Sequence, residues 1–159
     1  MNLFPSGSGI ELRAAGTDDV AVLAAFNCAL ALESEGLVLA PDVVQAGVSR
    51  LIATPLLGGY RLAVVGEKVV ASLLITSEWS DWHNRYYWWL QSVYVLPEYR
   101  RQGIFSALYQ AVLAEAQARG EVASLRIYVE RQNLSAQRTY QQLGMMPSHY
   151  QMFEQSLLP

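Results

Sequence analysis

Helical spacing of apolar residues alternates with shorter β-rich runs along this chain. Apolar residues recur every three or four positions after Thr17, after Pro41 and after Gly103, which predicts a helix in each place. Runs rich in β-branched and aromatic residues lie between them, and the turn Gly66–Lys68 joins two such runs as a hairpin. The predicted order is a strand at 10–13, helices at 17–33 and 41–52, strands at 60–65, 69–75 and 86–95, a helix at 103–119, a strand at 124–129, a helix at 135–143 and a strand at 150–153.

This order predicts an α/β fold in which one mixed central sheet carries helices on both faces. The 159 residues are expected to form a single domain, with residues 1–9 as a loose tail. A chain of this length buries roughly two-thirds of its unfolded surface. Residues 78–85 interrupt the strands as a loop rich in tryptophan.

Composition and charge narrow the function classes. Hydrophobic residues make up 52% and charged residues 16% of the chain, which argues against disorder. The net charge of -3 argues against a nucleic-acid partner, and the sequence predicts neither a membrane span nor a signal peptide. A lone cysteine, Cys28, is typical of a reducing compartment, so we expect a cytoplasmic protein.

The charges are unevenly distributed. Residues 1–79 hold four Lys or Arg against eight Asp or Glu, whereas residues 80–159 hold seven against six. The basic half therefore suits phosphates, and the acidic half suits a cationic acceptor.

The segment 93–106 combines a strand, a break at Pro97 and the start of a helix. The first N–H groups of a helix lack intrahelical acceptors, and the helix dipole adds about half a positive charge there. Arg100 and Arg101 add two full charges beside Gly103, so the segment predicts a site for a diphosphate. It is neither a P-loop nor a dinucleotide-binding fingerprint, because the spaced glycines of both are missing.

Arg100-Arg101-Gln102-Gly103-Ile104-Phe105 resembles the acetyl-CoA-binding motif of the GCN5-related N-acetyltransferase (GNAT) superfamily, Gln/Arg-x-x-Gly-x-Gly/Ala. Phe105 departs from the motif, since Gly or Ala is usual there. The resemblance implies the GNAT fold from about residue 10 to residue 153, acetyl-CoA as cosubstrate and no metal. It implies cofactor contacts from the following residues: Val93, Tyr94, Val95, Arg100, Arg101, Gln102, Gly103, Ile104, Phe105, Ser106 and Asn133.

A second block supports the first. Asn133, Ala136, Tyr140 and Gly144 are similar to the downstream motif of the superfamily, Asn-x-x-Ala-x-x-x-Tyr-x-x-x-Gly. Ala136 and Tyr140 would share one side of a helix. The resemblance implies that Asn133 contacts the cofactor and that Tyr140 protonates the departing thiolate. The alternative for Asn133 is a turn residue, and the alternative for Tyr140 is a tyrosine of the core.

The strand before the diphosphate site has an implied role of its own. In the superfamily this strand splays from its neighbour and pairs with the pantetheine arm, which here implies Val93 and Val95. The N–H of Val93 would then polarise the thioester carbonyl. An ordinary central strand is the alternative.

The sequence does not identify the general base. Gln91, Ser92 and Tyr128 stand where many relatives place a carboxylate, and none is a useful base at neutral pH. A water relay without a single base is the alternative to side-chain candidates. Those candidates are Glu33, Glu35, Asp81, His83 and Glu130.

The acceptor site is predicted between the acidic segment at Glu33–Glu35 and the loop 79–85. Trp79 and Trp82 would form its walls, and Glu33, Glu35 or Asp81 would hold the ammonium. A homodimer interface is the alternative use of these tryptophans.

Two function classes follow. The first is an N-acetyltransferase that moves the acetyl group from acetyl-CoA to a primary amine of a small molecule, by direct attack in a ternary complex. A protein or peptide N-terminus or lysine is the alternative acceptor. The second class is a non-catalytic acyl-CoA-binding regulatory module, which Phe105 and the missing strand carboxylate favour.

Overall fold

A computed structural model of the protein describes residues 9–158, so the predicted tail lies outside the described residues except for Gly9. The strands are β1 (Ile10–Ala14), β2 (Gly59–Val65), β3 (Lys68–Ser80), β4 (Arg85–Val95) and β5 (Val122–Ile127). The α-helices are α1 (Val20–Glu35), α2 (Pro41–Ala53), α3 (Ile104–Arg119) and α4 (Leu134–Gln142). None of the helices within residues 9–158 is both long enough and apolar enough to span a membrane.

The strands form one sheet in the order β1-β2-β3-β4-β5. The first four strands pair antiparallel with their neighbours, and β5 pairs parallel to β4. A parallel pair needs a crossover connection, which the helix α3 provides. The predicted mixed sheet is therefore confirmed.

Helices cover both faces of this sheet. Successive side chains of a strand point to opposite faces. Tyr60 accepts a hydrogen bond from Asn27 of α1 at 2.9 Å, whereas Arg61 pairs with Glu115 of α3 at 2.8 Å. Since Val48 of α2 packs in the same buried cluster as Tyr60, α1 and α2 lie on one face and α3 lies on the other. The α/β fold with helices on both faces is confirmed.

Burial of aliphatic side chains holds the α1–α2 layer on the sheet. Leu23 and Val48 from the helices pack with Leu62 and Leu74 from the strands, and all four are less than a tenth exposed. Each such side chain contributes roughly 1.5–3 kcal/mol through its removal from water. This cluster holds the first half of α1 and the helix α2 against β2 and β3.

By its internal contacts the chain divides into two units, one ending at Tyr128 and one beginning at Val129. The first unit holds the whole sheet with α1, α2 and α3, and the second holds α4. The single domain expected from the sequence stays a prediction.

Two predicted elements differ from the structure. The loop predicted at residues 78–85 is only a four-residue turn, because β3 continues to Ser80 and β4 begins at Arg85. The cross-strand pair Trp79–Tyr86, whose ring centroids lie 4.9 Å apart, extends the hairpin. The last strand predicted at 150–153 is absent from the described residues. Its side chains stay exposed, at 65% for Tyr150 and 91% for Phe153, so no burial stabilises a strand there.

Candidate active site

Strand β4 carries a bulge in its second half. Gln91 lies opposite Leu74 and Tyr94 lies opposite Ser72, so two residues of β4 face the single residue Leu73. One of these two, Ser92, has a φ of +46°, which is uncommon for any residue other than glycine. The extra residue changes which backbone groups face each edge of the strand.

The hydrogen bonds on both sides of the bulge show this change. The N–H of Tyr86 donates to Glu121 beside β5, whereas the N–H of Leu96 donates to Val70 of β3. Both positions are even-numbered, so an unbroken strand would direct them to the same edge. After the bulge the odd positions, Val93 and Val95, therefore direct their N–H and C=O groups away from β3.

In the part of the chain that the structure describes, the half of that edge beyond Leu90 has no strand beside it. The ladder between β4 and β5 runs from Tyr86 to Leu90 and stops there. Within residues 9–158, the segment Gln91–Val95 pairs with no strand other than β3. The N–H groups of Val93 and Val95 thus border an open notch, which can accept an extended ligand as an added strand.

The start of α3 lies nine positions after Val95 in the chain. Arg101 and Gly103 have φ angles of +61° and +78°, and α3 begins at Ile104. The first helical bond joins the N–H of Ala107 to the C=O of Gly103 at 3.0 Å, so the N–H groups of Ile104 and Ser106 precede the helical ladder. With the helix dipole and the exposed Arg101, this terminus can bind an anion.

The side chain of Arg100 is held beside the notch by three contacts. Its Nε donates to the C=O of Val95 at 2.9 Å, and its Nη2 lies 2.6 Å from Oε2 of Glu33. Its guanidinium lies 5.5 Å from the ring centroid of Tyr94. Arg100 thus occupies one carbonyl of the open edge and leaves the N–H groups of that edge to a ligand.

Glu33 receives a second hydrogen bond, from the hydroxyl of Tyr94 at 2.9 Å. The hydrogen bond from Arg100 lowers the pKa of the Glu33 carboxyl. Burial, together with the bond to Glu33, raises the pKa of the Tyr94 hydroxyl. Glu33 is therefore an ionised partner of Arg100 rather than an available base.

Two further motif residues contact their own helix or loop. The amide of Gln102 donates to the C=O of Glu98 at 2.9 Å, which closes the loop before α3. Phe105 is half-buried, and its ring centroid lies 6.4 Å from that of Tyr109 one turn later. The large side chain at the unusual motif position thus lies along α3.

The second unit carries the second motif. Asn133 precedes α4, and its side-chain oxygen accepts a hydrogen bond from the N–H of Ala136 at 3.1 Å. Asn133 is thus a helix cap, as its preference for such positions allows. Tyr140 lies one turn after Ala136 on the same side of α4, and burial raises the pKa of its hydroxyl.

The family follows from the sequence match over these elements. Residues 43–145 match the Acetyltransferase (GNAT) family, and this segment spans α2 to the end of α4. It covers more than half of the chain. The chain belongs to the GNAT acetyltransferase family.

Solved structures of similar fold agree with the GNAT assignment. A possible acetyltransferase from Clostridium difficile 630 is 41% identical, with a TM-score of 0.89 over 94% of this chain and 99% of that chain. A predicted acetyltransferase with acetyl-CoA from Clostridium acetobutylicum is 14% identical, with a TM-score of 0.76 over 92% of this chain and 96% of that one.

The protein AAC(6')-Iy, in complex with the bisubstrate analog CoA-S-monomethyl-acetylneamine, is 14% identical with a TM-score of 0.74 over 95% of this chain and 100% of that one. The two likenesses at 14% identity show the fold alone. Among curated proteins, none matches this sequence.

The acceptor residues predicted for this GNAT protein do not lie together. Glu33 and Glu35 end α1 beside Tyr94, whereas Trp79, Asp81 and Trp82 lie at the hairpin where β4 begins. The eight steps from Tyr86 to Tyr94 span roughly 26 Å at the rise of a β-strand. The structure therefore does not bring these two sets together, which the sequence could not show because the direction of the hairpin depends on the fold. Which residues hold the acceptor stays a prediction.

Two of the other candidate bases, His83 and Glu130, have hydrogen-bond partners. Nδ1 of His83 lies 3.0 Å from the hydroxyl of Ser80 and 2.9 Å from that of Tyr87. Oε2 of Glu130 accepts from the N–H of Gln132 at 2.6 Å. Asp81 is exposed in the β3–β4 turn. None of these side chains lies on the strand segment that borders the notch.

The sequence reasoning missed a set of side chains on the α1–α2 face of β3, β4 and β5. Trp89 stacks on Tyr128 with ring centroids 4.3 Å apart, and its Nε1 donates to Glu78 at 2.5 Å. Arg126 lies 3.4 Å from the ring centroid of Tyr87 and 3.5 Å from Glu78. Strand alternation placed Tyr87 and Trp89 on one face, but only the parallel register with β5 brings Arg126 and Tyr128 to them.

Proposed function

We propose that this protein transfers the acetyl group of acetyl-CoA to a primary amine of a small molecule, by direct attack in a ternary complex. The observation that carries the proposal is the open edge of β4. Val93 and Val95 present N–H groups to the notch, and the N-terminus of α3 follows this strand in the chain. An extended pantetheine arm matches the notch, and a diphosphate matches the helix terminus.

The chain's residues would divide the cofactor contacts between them. The backbone from Gly103 to Ser106, with Arg101 and Gln102 before it, would hold the diphosphate. Tyr94 and Arg100 would fix the edge from the α1 side, and Val93 and Val95 would pair with the arm. Asn133 would contact the cofactor on the strength of its motif.

The reaction forms a C–N bond between the amine nitrogen and the acetyl carbon and breaks the C–S bond of the thioester. The N–H of Val93 would stabilise the negative charge on the carbonyl oxygen, and one such donor typically lowers a barrier by ~3 kcal/mol. Tyr140 would give its proton to the CoA thiolate, which suits a hydroxyl whose raised pKa keeps it protonated at neutral pH.

The attacking amine must lose a proton as well. Since Glu33 is ion-paired with Arg100, we favour a relay of waters over a single carboxylate. Cys28 fits a reducing compartment, so we place the reaction in the cytoplasm.

The test is an incubation with acetyl-CoA, a panel of amines and a dye that reacts with free thiols. The panel contains small amines, free amino acids and short peptides with free N-termini or lysines. Release of thiol that depends on a small amine supports the proposal, whereas release with peptides alone supports the alternative acceptor. Tight binding of acetyl-CoA without any thiol release would identify a regulatory acyl-CoA-binding module instead.

A further inference from the structure

A continuous stack of side chains lies on the α1–α2 face of the sheet, and we name it the aromatic column. His83 contacts Tyr87 edge-on, with ring centroids 5.8 Å apart. The guanidinium of Arg126 lies 3.4 Å from the centroid of Tyr87 and 5.6 Å from that of Trp89. Trp89 and Tyr128 complete the column with nearly parallel rings, at 18° and a centroid distance of 4.3 Å.

The column runs along β4 toward the open notch. Its members from β4 advance in chain order, from the hairpin turn through Tyr87 to Trp89. Tyr128 follows Ile127, which is the partner of Leu90, so its backbone lies level with Gln91. Val93 lies two residues further, roughly 7 Å along the strand. Tyr128 is therefore the last ring before the backbone groups that border the notch.

The ring of Tyr128 retains an uncovered surface. Trp89 covers one side of it, yet the residue is 54% exposed. Aromatic rings favour further rings in offset or edge-on contact. The exposed surface of Tyr128 thus offers a flat apolar contact within a short reach of Val93.

The charges around the column favour a neutral ring over a second cation. Glu78 accepts from Trp89 and lies 3.5 Å from Arg126, so its charge is balanced within the column. Glu33 on the same face of the sheet is balanced by Arg100. Neither carboxylate is left to hold the distal cation of a polyamine.

We propose that the exposed face of Tyr128 is the ring-binding subsite for the acceptor, and that the acceptor is a primary amine joined to an aromatic ring by a short linker. The proposal rests on the acetyl-transfer function proposed above. A ring stacked on Tyr128 would lie about 4 Å beyond it along the strand. About 3 Å then remain between that ring and the level of Val93, and a linker of about two carbons spans this distance.

The experiment compares three amines of similar size with acetyl-CoA at saturation: 2-phenylethylamine, 2-cyclohexylethylamine and hexylamine. We expect the KM of phenylethylamine to be about 3- to 10-fold lower than that of the cyclohexyl analogue, on the scale of aromatic stacking. Tyr128→Leu should remove this difference without changing the Kd of acetyl-CoA, and Tyr128→Phe should keep it. Tyr86→Leu is the matched control, because Tyr86 is an exposed β4 tyrosine on the other face of the sheet.

Equal KM values for the phenyl and cyclohexyl amines would overturn the subsite. So would a Tyr128→Leu variant that weakens acetyl-CoA and leaves the amine KM unchanged. Binding of phenylethylamine to the CoA-loaded protein, followed by tryptophan fluorescence, separates this proposal from the acetyl-transfer function. If no amine is acetylated but Tyr128→Leu abolishes that binding, the subsite stands and the reaction is wrong; without binding, the subsite is wrong.

Discussion

Glu33 and Arg100 are 67 residues apart in the chain, yet Oε2 of Glu33 and Nη2 of Arg100 lie 2.6 Å apart. The pair joins the C-terminus of α1 to the loop before α3, and Tyr94 supports it from β4. It therefore connects the helical layer to the strand edge on which the proposed chemistry depends. Glu33, which the sequence offered to the acceptor, is paired with the first arginine of the Arg100–Phe105 motif.

The first prediction concerns this pair. Glu33→Gln should leave the acceptor KM unchanged, because Glu33 contacts Arg100 rather than the notch. Since both side chains are about two-fifths exposed, the loss of unfolding free energy should be at most about 1 kcal/mol. Chemical denaturation and steady-state kinetics measure both quantities. A tenfold rise in acceptor KM with an unchanged Kd for acetyl-CoA would return Glu33 to the acceptor site.

The second prediction concerns Arg101. Arg101→Ala should weaken CoA binding by ~1–3 kcal/mol, the usual range for a hydrogen bond to a charged group. Because its φ is +61°, Arg101→Gly relieves the backbone while removing the same charge, and it should lose as much affinity. Calorimetry at two salt concentrations should show a weaker salt dependence in both variants.

Arg85→Ala is the control for that series, since Arg85 is an exposed arginine at the start of β4. A variant of Arg101 with the affinity of the unchanged protein would mean that the diphosphate lies elsewhere. An equal loss of CoA affinity in Arg85→Ala would show that the change in net charge alone explains the effect.

The third prediction concerns Asp19, which anchors the entry to α1. Its carboxylate accepts two bonds from Arg13, at 2.7 Å and 2.8 Å, and one from the N–H of Gly16 at 2.8 Å. The hydrogen bond from Arg13 lowers the pKa of Asp19. Because the folded pKa is depressed, its stabilisation is complete above the unfolded pKa of about 3.9 and is lost as the pH falls through the folded value.

Asp19→Asn should therefore lower the free energy of unfolding by about 1–3 kcal/mol at neutral pH, and the difference should shrink below about pH 4. Asp18→Asn is the control, because Asp18 is exposed. Urea unfolding from pH 7 to pH 3 measures the difference. A gap that stays constant through this range would exclude the ionised carboxylate as its source.

The fourth prediction concerns Tyr140. Tyr140→Phe should lower turnover ~100-fold or more and leave the Kd of acetyl-CoA nearly intact, since only the acid is removed. Because burial raises the pKa of this hydroxyl, the activity of the unchanged protein should show no loss from its ionisation at neutral pH. A variant with full turnover would leave Tyr140 as a core residue.

The fifth prediction concerns the hairpin tryptophans. Trp82 is 83% exposed and Trp79 is 52% exposed, at the end of β4 far from the notch. Trp79→Ala and Trp82→Ala should leave the acceptor KM unchanged. If they shift the elution volume on a sizing column, the hairpin forms a homodimer interface. A higher acceptor KM without such a shift would restore the hairpin to the acceptor site.

The sequence by itself determined most of the elements and the place of the cofactor motif. Local signals were sufficient there, because Pro41 begins α2 and Gly103 and Gly120 bound α3 through their own backbone preferences. The motif at Arg100–Phe105 also pointed to the GNAT family, which the match over residues 43–145 confirms. Helix and strand periods depend on neighbours in the chain, and the sequence displays those directly.

Only the tertiary structure decided which of these residues meet. The bulge at Ser92 changes the edge of β4 that Val93 and Val95 face. A serine at this position does not by itself predict a bulge. The parallel register of β5 on β4 brings Tyr128 to Trp89. The sequence did not show that Glu33 meets Arg100, because Coulomb attraction depends on distance in space, and a separation of 67 positions along the chain does not reveal the 2.6 Å between them.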